Sequence, residues 1–301
     1  MITFFATPKP FRGHIGVIQR NAIQSWKLTH PDAEVILFGN EEGAAEVAAR
    51  LEARHEPEVD RNSHGTPLLS SLFERADRLA KHGWLCFLNA DILLTEDFLV
   101  ASARLAQLRE RSLMVGRRCD VDIKEPLDFS KADWRESVRS LARERGRLRP
   151  PQWIDYFVFP RDLLHAQVPD FAVGRPGYDN WLLWKVRSMG IPVVDATEVV
   201  LAIHQNHDYS HHQGGEDTFW HGAEAQQNFS LLGKGQFATL DNATHRLTPD
   251  VLRPNYYHWV ALAKRKTTNA RNAAWLGMLD LTQPLRRWLG MRRRQSPEAP
   301  R

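Results

Sequence analysis

Short apolar runs of strand length alternate with amphipathic, helix-length segments along the first half of the chain. The runs Ile2 to Ala6, Glu34 to Phe38 and Trp84 to Leu88 are each bounded by turn residues and predict strands. Helical periodicity fills the intervals over residues 16–28, 44–54 and 66–83, the last with Thr66 as the expected N-cap. This alternation is typical of a parallel sheet with crossover helices, so the sequence predicts an α/β fold.

The second half of the chain is less regular and richer in aromatic residues and histidine. One strand is predicted over residues 112–123, a helix over 178–189 and another strand over 193–203. Residues 128–149 form an Arg-rich stretch with helical character, ended by Pro150-Pro151, which we interpret as a surface excursion or a mobile flap.

Charge is unevenly distributed. The net charge is +4, yet residues 253–301 hold eleven Lys or Arg against two Asp or Glu. Apolar residues in this tail follow helical spacing, which predicts a basic amphipathic helical segment suited to an anionic membrane surface. The alternative is a helix packed on the body with a solvated Arg-rich end. The body lacks interleaved basic and aromatic residues, so nucleic acid is not expected as a partner.

Localisation is predicted from what the sequence lacks. No apolar run approaches the roughly 18 residues that span a bilayer, and Met1 leads into a strand without a signal-peptide pattern. The two cysteines, Cys86 and Cys119, lie in apolar or strand-like segments and do not form a zinc or disulfide pattern. We therefore expect a cytoplasmic protein, with peripheral association at the inner face of the membrane through the tail.

The segment Asn89-Ala90-Asp91 directly follows the apolar run 84–88. Ligands bind at the carboxyl ends of strands in open α/β sheets, and a buried carboxylate there requires a positive partner such as a divalent metal. Asp91 could equally cap the following turn, and the tripeptide alone leaves both interpretations open.

Two further segments are candidates for chemistry. Asp179 lies in the first turn of a helix beneath the loop Gly174-Arg175-Pro176-Gly177, where it could be a capping acid or a general base. His204 and His207 follow a predicted strand, and either could bind a metal, although any single histidine there could also be a polar loop residue.

Several enzyme classes are excluded by missing motifs. Strand one is followed by Thr7-Pro8-Lys9-Pro10 instead of a glycine-rich phosphate loop, which argues against a dehydrogenase or a P-loop kinase. No G-x-S-x-G nucleophile elbow is present either.

In their order and spacing, these segments resemble the GT-A fold glycosyltransferases, similar to the family 2-like nucleotide-diphospho-sugar transferases. The resemblance covers residues 1 to 235, and its carriers are residues 3–11, 19–26, 87–92, 155–160, 174–182 and 204–209. It implies a single GT-A, Rossmann-like domain with a mixed, mostly parallel sheet, followed by the helical basic C-terminal tail. The expected domain is 1–253, with a nucleotide-binding half 1–125 and an acceptor half 126–253, and the tail is 254–301.

The resemblance also implies roles for individual residues. Asn89-Ala90-Asp91 stands where these enzymes have a D-x-D motif, so that Asp91 binds Mn²⁺ or Mg²⁺, with His204 or His207 completing the metal shell. Asp179 matches the base of inverting members. The positions that match the lining of the nucleotide-sugar site are Thr7, Pro8, Asn40, Arg75, Asn89 and Ala90. Asn89 departs from the motif because Asn contributes no charge.

The resemblance therefore implies an enzyme, a hexosyltransferase-like glycosyltransferase that moves a sugar from a nucleotide-diphospho-sugar to a hydroxyl of a saccharide or lipid-linked acceptor, as in polysaccharide biosynthesis. The alternative, favoured by Asn89, is a non-catalytic module that keeps the fold and binds a nucleotide or glycan.

Overall fold

The computed structural model describes residues 1–107, 111–207 and 215–256, and Met1–Asn255 form one compact unit. The elements of the first half are β1 Thr3–Ala6, α1 Gly13–Lys27, β2 Glu34–Phe38, α2 Ala44–Arg50, β3 Arg54–Glu56, α3 Leu69–Leu79, β4 Trp84–Leu88, β5 Ile92–Leu93 and α4 Asp97–Gln107. Of the predicted tail, residues 257–301 lie outside the described residues.

The second half begins with two short strands and a helix, β6 Leu113–Val115, β7 Arg118–Val121 and α5 Trp134–Arg145. It continues with β8 Arg147–Leu148, β9 Tyr156–Pro160, α6 Tyr178–Ser188, β10 Val193–Asp195, β11 Ala202–Gln205, α7 Gly215–His221, α8 Ala223–Leu231, β12 His245–Leu247 and β13 Leu252–Pro254. No helix in the described part of the chain is long and apolar enough to cross a membrane.

The larger sheet has the strand order β13-β12-β10-β6-β9-β4-β1-β2-β3. Only β9 and β13 run antiparallel to their neighbours, and the other described strands of this sheet are parallel to one another. This arrangement confirms the predicted mixed, mostly parallel α/β fold. Because β1, β2 and β4 are parallel neighbours, their carboxyl ends meet at one edge of the sheet, where ligands bind in such folds.

A smaller sheet, ordered β5-β11-β7-β8, supplies further site residues. β5 follows directly after Asp91 and pairs antiparallel with β11, with His204 opposite Ile92. β11 in turn pairs with β7, where His204 is opposite Asp120. The smaller sheet therefore brings three segments that are far apart in sequence to the end of β4.

The core lies on both faces of the larger sheet, because successive side chains of a strand point to opposite faces. Phe4 packs with Trp26 and Phe98 on one face, and the neighbouring Phe5 packs with Phe73 and Phe87 on the other. All of these side chains are buried. Burial of an aromatic side chain contributes about 1.5–3 kcal/mol, so the two faces hold β1 and β4 firmly at the centre of the sheet.

Two predicted strands are wrong, because each is in fact a pair of short strands in different sheets. Residues 112–123 form β6 and β7, which are separated at Gly116, and a Cβ there would collide with the hydroxyl of Tyr156. Residues 193–203 form β10 and β11, separated by a turn in which Asp195 accepts hydrogen bonds from the backbone and hydroxyl of Thr197. In both cases a turn ends the first of the two short strands, β6 or β10. The apolar pattern of the sequence continues across this turn and therefore does not reveal it.

The predicted start of the third helix is also wrong. Thr66 does not cap it, because α3 begins at Leu69 with Leu68 in an extended conformation. The amide of Leu68 donates to the carbonyl of Asp60, and that of Leu69 donates to Phe171. These tertiary backbone hydrogen bonds hold residues 66–68 outside the helix. The predicted helix 44–54 is likewise too long, since α2 ends at Arg50, residues 51–53 turn, and Arg54 begins β3.

The Arg-rich stretch 128–149 is part of the folded body and is not a flap. Trp134, Val138 and Ala142 of α5 are buried, and they pack with Cys119 and Val121 of β7. The chain then turns at Gly146 into β8, which pairs with β7.

Candidate active site

The segment Asn89-Ala90-Asp91 forms the turn that joins the two sheets. β4 is buried for most of its length, and the amide of Ile92 donates to the carbonyl of Asn89 (3.1 Å), which closes the turn. Trp26 fixes the other side, because its indole nitrogen donates to the carbonyl of Ile92 (2.7 Å). The Asp91 side chain is only 13% exposed at the end of β4.

Asp91 lies against both predicted histidines. Its Oδ2 is 3.2 Å from Nε2 of His207 and 3.9 Å from Nε2 of His204. The other ring nitrogen of His204, Nδ1, lies 3.2 Å from Oδ1 of Asp120. The side chains of His204 and His207 are 9% and 10% exposed. The structure thus brings together the three residues named from sequence as metal ligands.

The charge of Asp91 is stabilised by its neighbours. Burial alone would raise the pKa of this carboxyl, but His204, His207 and Lys9 outweigh burial and hold the pKa well below its usual range. Asp91 Oδ1 is buried and has no hydrogen-bond partner among the residues that the structure describes. An ionised oxygen left unpaired in this way is poised to accept a cation.

The cluster fits a divalent metal. One ligand atom from each of Asp91, His204 and His207 lies within 4.8 Å of the others, close enough to share one ion. Carboxylate oxygen and imidazole nitrogen together suit Mn²⁺ and similar ions, and carboxylate oxygen suits Mg²⁺.

Asn89 joins the end of β4 to two other elements. Its amide nitrogen donates to Oδ1 of Asp155 (2.5 Å), and its side-chain oxygen accepts from the hydroxyl of Tyr178 (3.2 Å). Asp155 also accepts from Arg118 (3.0 Å) on β7. The first residue of the segment is therefore a hydrogen-bonding junction between β4, β9, α6 and β7.

Asp179 follows Tyr178 at the start of α6. The backbone turns at Gly177 with φ of 106°, a conformation that favours glycine, and the helix begins at the next residue. Burial raises the pKa of Asp179 to about 7, the negative charge of Asp155 adds to the rise, and backbone hydrogen bonds partly oppose it. A carboxylate with a pKa near neutrality has the property that general bases require.

The remaining residues that were predicted to line the site follow β1 and β2 or lie on α3. Thr7 has a buried hydroxyl without a hydrogen-bond partner in the described chain, Pro8 is buried, and Asn40 is exposed after Gly39. A Cβ on Gly39 would lie 3.2 Å from the hydroxyl of Thr7, so the two loops are neighbours. Arg75 lies partly buried on α3, and whether it contacts a nucleotide stays a prediction.

Sequence reasoning missed Lys9, Arg118, Asp120 and Asp155 as site residues. Burial lowers the pKa of Lys9, and the negative charge of Asp91 partly opposes this, so the lysine joins the two histidines as a charge partner of Asp91. Arg118 contacts Asp120 (2.9 Å) and Asp155 (3.0 Å). One signal was available in the sequence: charged residues at 118, 120 and 122 alternate with apolar ones, which places them on one face of β7.

An open cleft of about 520 Å³ borders the cluster on the side of α1. It is lined by His207 and Asn206, by Asp122, and by the start of α1 at residues 12–15. Substrate therefore has space beside His207.

No family model matches the sequence, and no curated protein matches it. Solved structures to which the chain is similar are nucleotide-diphospho-sugar glycosyltransferases, the class that the sequence resembles. One is a glucosyl-3-phosphoglycerate synthase from M. tuberculosis, with 16% identity, a TM-score of 0.48, and coverage of 87% of this chain and 92% of that chain.

Two further structures are similarly distant. A mannosyltransferase from Pyrobaculum calidifontis, determined with GDP-Man and Mn²⁺, has 15% identity and a TM-score of 0.43 over 96% of this chain and 83% of its own. A putative nucleotide-diphospho-sugar transferase from Desulfovibrio desulfuricans has 11% identity and a TM-score of 0.42 over 76% of this chain and 96% of its own. Residue roles in this chain therefore rest on its own geometry.

Proposed function

We propose that this protein is a glycosyltransferase, hexosyltransferase-like, that moves a sugar from a nucleotide-diphospho-sugar to a hydroxyl of an acceptor. The observation that carries the proposal is the cluster of Asp91, His204 and His207 at the carboxyl end of β4, with an unpaired Asp91 oxygen. Asp179 follows Tyr178, whose hydroxyl donates a hydrogen bond to the side chain of Asn89, two residues before Asp91.

The donor would bind across the carboxyl ends of β1, β2 and β4. The residues we propose to line it are Thr7, Pro8, Asn40, Arg75, Asn89 and Ala90. Asp91, His204 and His207 would hold Mn²⁺ or Mg²⁺, which when bound supplies positive charge for the diphosphate. Lys9, whose charged form interacts with Asp91, would add a basic side chain near the diphosphate.

Asp179 is proposed as the general base of an inverting reaction. In its ionised form it takes the proton of the acceptor hydroxyl as the oxygen attacks the anomeric carbon, and the nucleoside diphosphate leaves. The raised pKa supports this role, because a carboxylate of ordinary pKa is a much weaker base.

The proposal also includes the division into domains, the acceptor and the contact with a membrane. The catalytic domain is 1–253, divided into a nucleotide-binding half 1–125 and an acceptor half 126–253, and the basic tail is 254–301. We propose a saccharide or lipid-linked acceptor in polysaccharide biosynthesis, reached at the inner face of an anionic membrane through this tail.

The alternative is a module that binds a nucleotide or glycan without turning it over. Asn89 favours this alternative by sequence, because asparagine in place of the first aspartate removes one negative charge from the D-x-D motif. In the structure, however, Asn89 is occupied by Asp155 and Tyr178, and this gives a reason for an amide at this position that does not require loss of catalysis.

Incubating the protein with a panel of nucleotide sugars and Mn²⁺ separates the two functions. A glycosyltransferase hydrolyses its own donor slowly when no acceptor is present, and the Asp179→Asn variant should lose this reaction. If a nucleotide sugar binds tightly and is never consumed, with or without added saccharides, the binding module is the better description.

A further inference from the structure

A second cleft, of about 240 Å³, lies on the outer side of the smaller sheet. Three arginines line it, Arg145 at the end of α5, Arg147 on β8 and Arg149 just beyond, and we call it the arginine cleft. Asp120, Asp122 and Asn206 also line this cleft. Asp120 contacts His204, so the arginine cleft borders the proposed metal cluster.

The arginines converge because the chain turns sharply between α5 and β8. At Gly146 a Cβ would collide with the carbonyl oxygen of Ala142, so only glycine permits this close turn. β8 then pairs antiparallel with β7, which sets Arg147 opposite Asp120. Arg149 is held by stacking of its guanidinium over Trp153 at 4.3 Å.

Among the residues that the structure describes, two of the three arginines of the cleft, Arg145 and Arg147, have no acidic partner, and the third, Arg149, forms an ion pair with Asp120. In the described part of the chain, Arg145 and Arg147 have no ion pair and no side-chain hydrogen bond, whereas Arg139 and Arg143 on α5 pair with Glu96 and Glu136. Arg149 has a buried Nε without a hydrogen-bond partner in the described chain and lies 3.5 Å from Asp120.

The two acidic residues of the cleft also have partners other than Arg145 and Arg147. Asp120 is 2.9 Å from Arg118 and 3.2 Å from His204, and Asp122 accepts a hydrogen bond from Asn206 (2.7 Å). The guanidinium groups of Arg145 and Arg147 and the Nε of Arg149, which lacks a hydrogen-bond partner in the described chain, therefore line one small cavity. An arginine fork matches the oxygens of a phosphate in geometry and charge.

We propose that the arginine cleft binds a phosphate group carried by the sugar acceptor, an inference that rests on the proposed glycosyl transfer. The residues of the cleft come from β7, α5, β8 and the end of β11, and none comes from β1, β2 or β4, where the donor would bind. The cleft thus borders the metal cluster through residues that the proposed donor site does not use, and its volume suits a small phosphorylated compound or the phosphorylated end of a larger one.

Calorimetry with glycerol phosphate, glycerol and glycerate at constant ionic strength tests the proposal on the full chain. Glycerol phosphate should bind, glycerol should not, and glycerate should bind more weakly. The double variant Arg145→Gln/Arg147→Gln should lose about tenfold or more in affinity, because two charge-assisted contacts are removed. Arg143→Gln is the matched control, since Arg143 is exposed on the same helix and is paired outside the cleft.

Donor binding is measured on the same proteins. The double variant should bind UDP and GDP with Mn²⁺ as the wild type does. The proposal is overturned if glycerol phosphate does not bind at millimolar concentration, or if glycerate binds as tightly as glycerol phosphate. It is also overturned if the control variant loses as much affinity as the double variant. A matching loss of nucleotide affinity would assign the arginines to the donor diphosphate instead.

The failure of the proposed function has a separate signature. If no nucleotide sugar binds or is consumed by the wild type while phosphate affinity still depends on Arg145 and Arg147, the acceptor role falls with the glycosyl transfer. If donor turnover is present and phosphate affinity does not depend on these arginines, only the acceptor inference fails.

Discussion

At the scale of single residues, Asn89 is interpreted differently from the sequence and from the structure. By sequence it is a D-x-D position that lacks a charge. In the structure its amide donates to Asp155, and a carboxylate at the same place could not donate. The residue type is therefore determined by a neighbour 66 positions away, a contact that local sequence cannot reveal.

Asn89→Asp should destabilise the protein near neutral pH by about 1–3 kcal/mol, because a donated hydrogen bond is replaced by two facing carboxylates. The pair would bind a proton more readily in the folded state than in the unfolded state, so the loss should shrink as pH falls towards 4. Urea unfolding at several pH values measures this. A loss that is constant across pH would contradict the role of Asp155 as the acceptor.

Asp179→Asn should lower kcat by about 10²-fold or more while leaving donor affinity close to that of the wild type. Wild-type kcat should rise as pH increases through about 7, since the base acts only when ionised. Steady-state kinetics and calorimetry of donor binding check both statements. An equal loss of donor affinity in the variant would place Asp179 in the donor site.

The same residue should make stability depend on pH. A carboxyl whose pKa is raised on folding, here to about 7, favours the folded state below its unfolded pKa, and this contribution disappears as pH rises through 7. The Asp179→Asn variant, which cannot ionise, should therefore gain Tm relative to the wild type at pH 8.5 compared with pH 5. An identical Tm difference at both pH values would show that the carboxyl titrates normally.

At the scale of elements, strong local patterns were predictable and short, tertiary-paired strands were not. β1, β2, β4 and α6 agree with the sequence because apolar runs or helical periodicity define them. β7, β8 and β11 have two to four residues each, and they form only because they pair with one another. The start of α3 was missed for a related reason, since distant backbone groups bind the amides of residues 68 and 69.

The turn between α5 and β8 gives an element-scale prediction. Gly146→Ala should cost about 1–3 kcal/mol, because the new methyl group meets the backbone of Ala142 and the sulfur of Cys119. Gly83→Ala is the matched control, since a Cβ there meets no atom within 4 Å. Thermal unfolding of both variants decides the matter, and equal Tm values would mean that the turn relaxes freely.

At the scale of the whole molecule, the site is assembled from residues scattered along the described chain. Sequence identified Asp91, Asp179, His204 and His207, and the structure places Asp91 in contact with both histidines. The sequence could not identify Lys9, Arg118 or Asp155, because each gains its role from contacts across both sheets. A charged residue is recognisable in sequence, but its partner is set by the topology.

The basic tail also makes a prediction for the whole molecule. The full chain should co-sediment with vesicles that contain anionic lipid and much less with neutral vesicles, because the positive charge of residues 253–301 attracts an anionic surface. A chain ending at residue 269 should lose most of this binding. Retention of binding by the shortened chain would place the membrane contact outside residues 270–301.

The central claim is that Asp91, His204 and His207 hold a metal that is required for a nucleotide-sugar donor. Thermal unfolding of the wild type, Asp91→Asn and the exposed-site control Asp250→Asn, each with a panel of nucleotide sugars with and without Mn²⁺, tests it most directly, since a ligand of the native state raises Tm by mass action. We expect at least one nucleotide sugar to raise Tm in the wild type and the control, only when Mn²⁺ is present, and not in Asp91→Asn. A nucleotide-sugar shift of equal size in all three proteins, with or without Mn²⁺, would contradict the claim.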